Sequence, residues 1–142
     1  MNWARALRQL AALLALALLP AAVSAAIHLQ WKKPEPLRDG EVELVAAQAR
    51  GEKVLWVDAR PRAKFDHEHI PGAVLLNEDE WVRLVGPFLD AWEPEKTIVV
   101  YCDGGSCDAS HAVAKRIKDE LQVGSEVHVL KGGWDAWLQR KP

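Results

Sequence analysis

Apolar and polar residues alternate along the chain in blocks that predict alternating strands and helices. Four short runs are apolar or rich in β-branched residues, which is typical of strands buried on both faces of a sheet: 54–57, 73–76, 97–101 and 127–130. Between and around them, apolar residues at helical spacing predict longer elements: helices over 41–50, 78–91 and 107–121, and a short helix holding Trp134 and Trp137. Asp39 could cap the first of these helices. Strands that alternate with helices predict an α/β fold, with a central parallel sheet covered by helices on both faces.

The N-terminal segment has the pattern of a targeting sequence. Arg5 and Arg8 precede an apolar run, and small residues follow it up to Ala25. This pattern predicts a signal peptide over residues 1–25, or an uncleaved membrane anchor. Breakers at Pro34, Pro36 and Gly40 predict a linker over residues 26–40. Either alternative predicts a periplasmic domain, or one anchored to the inner membrane and facing the periplasm, with membrane contact only through this segment.

Composition describes one globular domain and excludes two classes of protein. The chain has 142 residues, 49% of them hydrophobic and 27% charged. Its formal net charge is -2, and loss of the first 25 residues, which hold two Arg and no acid, would make it -4. An acidic chain is not expected to bind nucleic acid, because phosphate binding needs a basic surface. Two cysteines are too few for a disulfide scaffold.

The strongest candidate for chemistry is the loop after the third predicted strand. Cys102 ends that strand, and the turn Asp103, Gly104, Gly105, Ser106 leads to Cys107 and the next helix. Ligands of open α/β sheets bind beyond the carboxyl ends of strands. Convergent backbone N–H groups and a helix N-terminus both favour a thiolate over a thiol. The loop could therefore hold a reactive sulfur, although a cysteine at a strand end is often simply buried.

Four motifs in order resemble the rhodanese-like (sulfurtransferase) domain family. They are Val57-Asp58-Ala59-Arg60, the turn His69-Ile70-Pro71-Gly72-Ala73, the cysteine loop, and Gly132-Gly133-Trp134-Asp135-Ala136-Trp137. The resemblance covers residues 41–139. It implies sulfur transfer through a persulfide on Cys102, with residues 102–107 as the cradle for the transferred sulfur. It also implies that Asp58, Arg60 and His69 serve mainly to hold the fold.

Two departures from the family pattern affect the expected chemistry. Glu68 stands where a Gly usually precedes the histidine of the turn, and the cysteine loop contains no Lys or Arg. Backbone amides alone would then hold an anionic donor, and Asp103 and Asp108 would repel it. Thiosulfate is therefore doubtful as the natural donor. The expected partners are a small sulfur donor or a thiol or persulfide protein.

Other functions remain open from the residues alone. Cys102 and Cys107 could cycle between dithiol and disulfide, with Cys107 as a resolving thiol in a thiol-disulfide or persulfide reductase. The domain could also be a non-catalytic binding module. A cysteine phosphatase commonly needs an Arg six positions after the cysteine, where Asp108 stands. Cys102, Cys107 and His111 have the right atoms for a metal, but no fourth ligand is evident, so neither metal nor cofactor is expected.

Overall fold

The structure is a computed structural model. It describes residues 3–4, 7–9, 24, 36–104, 108–123 and 126–140. The chain divides into two units, Met1–Pro36 and Leu37–Pro142. Most of the predicted signal or anchor segment and most of the predicted linker lie outside the described residues. In the described part of the chain, no helix is long and apolar enough to cross a membrane. All that follows concerns the second unit.

Five strands form one sheet in which every neighbouring pair is parallel. The strands are β1 (Glu41–Val42), β2 (Val54–Asp58), β3 (Val74–Leu75), β4 (Thr97–Tyr101) and β5 (Val127–Leu130), in the order β1-β5-β4-β2-β3. The helices are α1 (Leu44–Gln48), α2 (Arg62–His67), α3 (Trp81–Ala91), α4 (Asp108–Arg116) and α5 (Gly133–Leu138). The predicted α/β class and parallel sheet are confirmed.

Alternate residues of the central strands face two separate apolar clusters, because successive side chains of a strand point to opposite faces. Leu55 and Val57 of β2 belong to the cluster that includes side chains of α3 and α4. Val54 of the same strand belongs to the cluster that includes residues of α1 and Trp134 of α5. Burial on both faces explains why the strand sequences are apolar throughout, and β4 is buried at every position.

One predicted helix begins too early. The spacing predicts a helix over 41–50, but Glu41–Val42 is a strand that pairs with β5, and the helix covers only Leu44–Gln48. Glu43 is the N-cap residue and makes no side-chain capping bond, so the cap predicted at Asp39 is wrong. The two-residue strand is held by a partner near the other end of the chain, and no local pattern could indicate it.

Two further helices differ from the sequence prediction. Helix α2 is not predicted, because it has no buried residue and so lacks the apolar stripe by which a helix is recognised in a sequence. The helix predicted over 107–121 is α-helical over Asp108–Arg116 and continues as a π-helical turn over Ile117–Leu121. The predictions of strands at 97–101 and 127–130 are confirmed at both ends.

Candidate active site at the end of strand β4

Strand β4 brings Cys102 to the edge of the sheet where a ligand can approach. The strand lies between β2 and β5 and is paired with both. Asp58 at the end of β2 is aligned with Tyr101 at the end of β4. Cys102 follows immediately and is 4% exposed. The motif at the end of β2 and the cysteine therefore meet at one carboxyl edge of the parallel sheet, as the position of ligand sites in such sheets requires.

The Cys102 sulfur is bonded to another sulfur and lies close to a buried hydroxyl. It is disulfide-bonded, and Cys107, the second cysteine of the sequence, lies outside the described residues. Its Sγ also lies 3.3 Å from Ser110 Oγ, and Ser110 is 2% exposed. Because a disulfide sulfur carries no proton, the hydroxyl is the donor in this state. A hydroxyl at this place would also donate to a thiolate, the form of cysteine that reacts.

Ser110 is a site residue that sequence reasoning missed. In the sequence, apolar residues recur every four positions at Ala109, Val113, Ile117 and Leu121, which predicts Ala109 on the buried stripe of the helix. The buried residues of α4 are instead Ser110, Val113 and Ala114. A serine at the first position of a buried i, i+3, i+4 stripe needs a partner for its hydroxyl. That unusual polar position is the pattern that could have identified it.

The closing helix α5 fixes the backbone of the cysteine loop. Trp134 N–H donates to the Cys102 carbonyl at 2.7 Å, and Asp135 N–H donates to the Asp103 carbonyl at 2.9 Å. A Cβ on Gly133 would lie 3.0 Å from the Cys102 carbonyl carbon and still closer to its oxygen. Gly133 therefore allows the backbone of α5 to touch the backbone of the cysteine loop. The Gly-Gly-Trp motif is a structural part of the site.

A buried ion pair forms the wall behind the loop. Arg60 binds both carboxylate oxygens of Asp58, with Nη2 at 2.7 Å from Oδ2 and Nε at 3.0 Å from Oδ1, and the two side chains are 4% and 0% exposed. Arg60 also donates to the Glu68 carbonyl at 2.7 Å. Its guanidinium lies 4.5 Å from the Trp134 ring centroid and 5.5 Å from that of Tyr101. These contacts link β2, the turn at Glu68 and α5.

The charges of this wall are fixed by their surroundings. Burial alone would lower the pKa of Arg60, but the hydrogen bonds and charge of Asp58 outweigh it and the pKa is raised. Burial raises the pKa of Tyr101, whose hydroxyl accepts a hydrogen bond from Ile70 N–H at 3.1 Å. Both shifts favour a charged Arg60 and a neutral Tyr101.

A second cation reaches the loop from outside it. Lys64 on α2 lies 2.7 Å from the Asp103 carboxylate, and the two side chains are 53% and 49% exposed. Beside this pair lies a depression of about 370 Å³ with a lining of mixed charge: Arg60, Ala63, Lys64, His67, Glu68, Asp103 and Trp134. The expectation that only backbone amides serve an anionic donor therefore overlooked Lys64. Lys64 lies far from Cys102 in the sequence, and nothing in the residues around Lys64 indicates that it contacts the cysteine loop.

The two histidines considered from the sequence make contacts away from the sulfur. His69 Nδ1 lies 2.8 Å from the Phe65 carbonyl oxygen, and its ring stacks on Phe65 with centroids 4.0 Å apart. His111 Nε2 lies 3.2 Å from Glu41 Oε1. Among the described residues, no group of three or more His, Cys, Asp or Glu side chains could hold a metal ion. His111 is therefore engaged by Glu41 of β1.

Comparisons with known proteins agree with this architecture. The family model described as Rhodanese-like domain matches residues 41–140, whereas no curated protein matches the chain. A protein from Bacillus halodurans has a similar structure, with a TM-score of 0.57 and 20% identity over 84% of this chain and 81% of that one. A rhodanese-related protein from Thermoplasma volcanium gives a TM-score of 0.51 and 16% identity, covering 70% of this chain and 90% of that chain.

One similar structure has a different description. A protein of unknown function from Rhodopseudomonas palustris, described as a possible tyrosine phosphatase, gives a TM-score of 0.51 and 20% identity over 75% of this chain and 94% of that one. At this identity the likeness concerns the fold alone. In the present chain, Asp108 occupies the position at which a cysteine phosphatase would commonly carry its Arg.

Proposed function

Since the chain belongs to the rhodanese-like domain family, we propose that it transfers sulfane sulfur through a persulfide on Cys102. The observation that carries the proposal is the place of the Cys102 sulfur, at the carboxyl end of β4 and 3.3 Å from a buried hydroxyl. The reduced thiolate attacks the outer sulfur of a donor R–S–SH. A new S–S bond forms on Cys102, the donor's own S–S bond breaks, and the thiolate RS⁻ leaves.

Intact mass spectrometry tests this step. The protein is first reduced, since Cys102 is disulfide-bonded in the structure, and is then mixed with one equivalent of an alkyl persulfide. We expect a gain of one sulfur atom that is lost on transfer to cyanide or a thiol. Cys102→Ser should abolish the gain, because a hydroxyl cannot form the S–S bond, and Cys107→Ser should retain a measurable part. Full transfer by the Cys102→Ser variant would refute the assignment.

A second candidate function is favoured by the disulfide at Cys102. The chain's other cysteine, Cys107, would attack the inner sulfur of the Cys102 persulfide. The Cys102–Cys107 disulfide would form, HS⁻ would leave, and a thiol reductant would restore the dithiol for another cycle. The protein would then act as a persulfide reductase.

Thiol counting separates the two candidates. Reduced protein receives one equivalent of donor, and free thiols and sulfide are measured together. Loss of two thiols with release of sulfide supports the reductase. A stable sulfur on Cys102, with Cys107 still open to alkylation, supports transfer to an external acceptor. If neither cysteine changes, a non-catalytic binding module is the remaining interpretation.

The proposed donor is a persulfide attached to a thiol, on a small molecule or on a protein partner. Two cations lie near the described part of the loop. Arg60 is already held by Asp58, and Asp103 neutralises Lys64 at 2.7 Å. A dianion such as thiosulfate would meet little net attraction there. Replacing Asp103 by Lys should raise the rate with thiosulfate. Efficient turnover of thiosulfate by the unaltered protein would contradict this argument.

Export from the cytoplasm is proposed from the N-terminal pattern alone. Arg5, Arg8 and the apolar run up to Ala25 have the form of a signal peptide or anchor. Cell fractionation should find the domain in the periplasm or on the periplasmic face of the inner membrane. Recovery of soluble cytoplasmic protein with Met1 intact would contradict it.

A further inference from the structure

We propose that Lys64 and Asp103 together select a zwitterionic donor, the persulfide of an α-amino acid such as cysteine, over donors that lack either its carboxylate or its ammonium group. The inference rests on the proposed function and adds the class of donor. Lys64 would bind the carboxylate and Asp103 the ammonium group. Because Asp103 directly follows Cys102 in the chain, a donor bound at this pair would lie beside the cysteine loop.

The first reason is that the two charges are both available at the mouth of the depression. Lys64 Nζ and Asp103 Oδ2 lie 2.7 Å apart, and about half of each side chain is exposed. An ion pair with this exposure is weak and is exchanged readily for other partners. A zwitterion can replace the single pair by two, so that both charges keep a partner of opposite sign. A simple anion would bind Lys64 only by leaving Asp103 unpaired.

The second reason is that the other strong cation of the depression is not free to take this role. Arg60 is held by Asp58 and by the Glu68 carbonyl. Lys64 is therefore the cation that a donor carboxylate would meet, with Asp103 beside it, and His67 and Glu68 also line the depression. The depression has a volume of about 370 Å³, which accommodates an amino acid with room to spare.

The experiment compares three donors with the reduced protein. They are cysteine persulfide, cysteine methyl ester persulfide, which lacks the carboxylate, and N-acetylcysteine persulfide, which lacks the ammonium group. The rate of sulfur gain on Cys102 is measured for each by rapid quenching and mass spectrometry. Each rate is first divided by the rate of the same donor with a small thiolate in solution, because the three leaving thiols differ in pKa and therefore in intrinsic rate. On this scale we expect cysteine persulfide to react about threefold to fivefold faster than either analogue, the preference that one partly exposed ion pair supplies.

Two variants assign each preference to one residue. Lys64→Gln should remove the preference over the methyl ester and retain that over the N-acetyl compound. Asp103→Asn should do the reverse. Rate ratios are used because a change in the reactivity of Cys102 alters the rates of all donors equally and cancels. Glu93→Gln and Lys96→Gln serve as matched controls, since this pair lies 2.8 Å apart just before β4, at the opposite end of that strand from Cys102.

Each result decides one question. The crossed pattern supports the proposal. Equal rates with all three donors, or a ratio that either variant leaves unchanged, would overturn it while leaving persulfide transfer intact. If the unaltered protein gains no sulfur on Cys102 from any donor, the proposed function itself fails. Changes of the same size in the control variants would show a general effect of charge and would also overturn the selection by Lys64 and Asp103.

Discussion

Replacing Gly133 by Ala should destabilise the domain and disturb the cysteine loop together. The residue has a φ of +49°, and a Cβ there would lie within 3.0 Å of the Cys102 carbonyl group. An alanine in the left-handed region costs about 1–2 kcal/mol by itself. The overlap can be relieved only if α5 moves away from the loop. That movement would weaken the hydrogen bonds from Trp134 and Asp135, at about 1 kcal/mol each.

Gly51 provides a control with similar backbone strain and no contact. Its φ is +59°, and a Cβ there would have nothing within 4 Å. Gly51→Ala should therefore lower the free energy of unfolding by about 1–2 kcal/mol. Gly133→Ala should lower it by roughly 3–4 kcal/mol, since the strain and the lost hydrogen bonds combine.

The assay is urea unfolding followed by tryptophan fluorescence, with both variants kept in the disulfide state so that the cross-link is the same in each. Trp134 is buried against Tyr101 and Arg60 and should report the loss of packing. Reduced Gly133→Ala should also gain sulfur on Cys102 more slowly than reduced Gly51→Ala. If the two variants lose equal stability, the close approach of α5 to the loop does not constrain the site.

Three further outcomes are expected. Asp58→Ala should lower the free energy of unfolding, measured with urea, by about 3–5 kcal/mol, because it leaves the Arg60 charge buried without its carboxylate. The double variant Asp58→Leu, Arg60→Met should recover most of that loss. In reduced protein, Ser110→Ala should lower the rate of Cys102 alkylation about tenfold at neutral pH, as expected when a thiolate loses one hydrogen bond. The difference should vanish at high pH, whereas a purely structural effect would persist. Burial opposes ionisation of Glu41, but hydrogen bonds from Arg38 N–H and His111 outweigh it and the pKa of Glu41 is lowered. Glu41 therefore stabilises the fold above its unfolded pKa of about 4.3. This contribution is lost as the pH falls through the pKa of the folded state. Glu41→Gln should flatten the acid limb of stability against pH, and an unchanged limb would refute the role.

The sequence predicts those elements whose own residues indicate that they are buried. Two strands, Thr97–Tyr101 and Val127–Leu130, are apolar on both faces and can therefore be identified without knowing their partners. The position of Cys102 after a buried strand likewise predicts a site at the sheet edge, because parallel strands share their carboxyl ends. The four motifs of the family extend this to the whole domain.

The parts that it misses depend on residues distant in the chain. In the described part of the chain, strand Glu41–Val42 pairs only with β5, so the local sequence predicts its two residues as part of the following helix. Lys64 lies on a helix without buried residues, and nothing near it in the sequence indicates that it meets Asp103. Ser110 differs, since its polar side chain within a buried stripe was an available indication.

The pairing of the first strand with the last has a consequence for the time at which the site is completed. In the described part of the chain, β1 pairs only with β5, and the cysteine loop is bound by the N–H groups of α5, which follows β5. During synthesis, the loop emerges before β5 and α5. Until α5 has emerged, Cys102 lacks the hydrogen bond that its carbonyl accepts from Trp134 N–H. The cysteine loop is therefore expected to reach its final conformation only after α5 has packed against it.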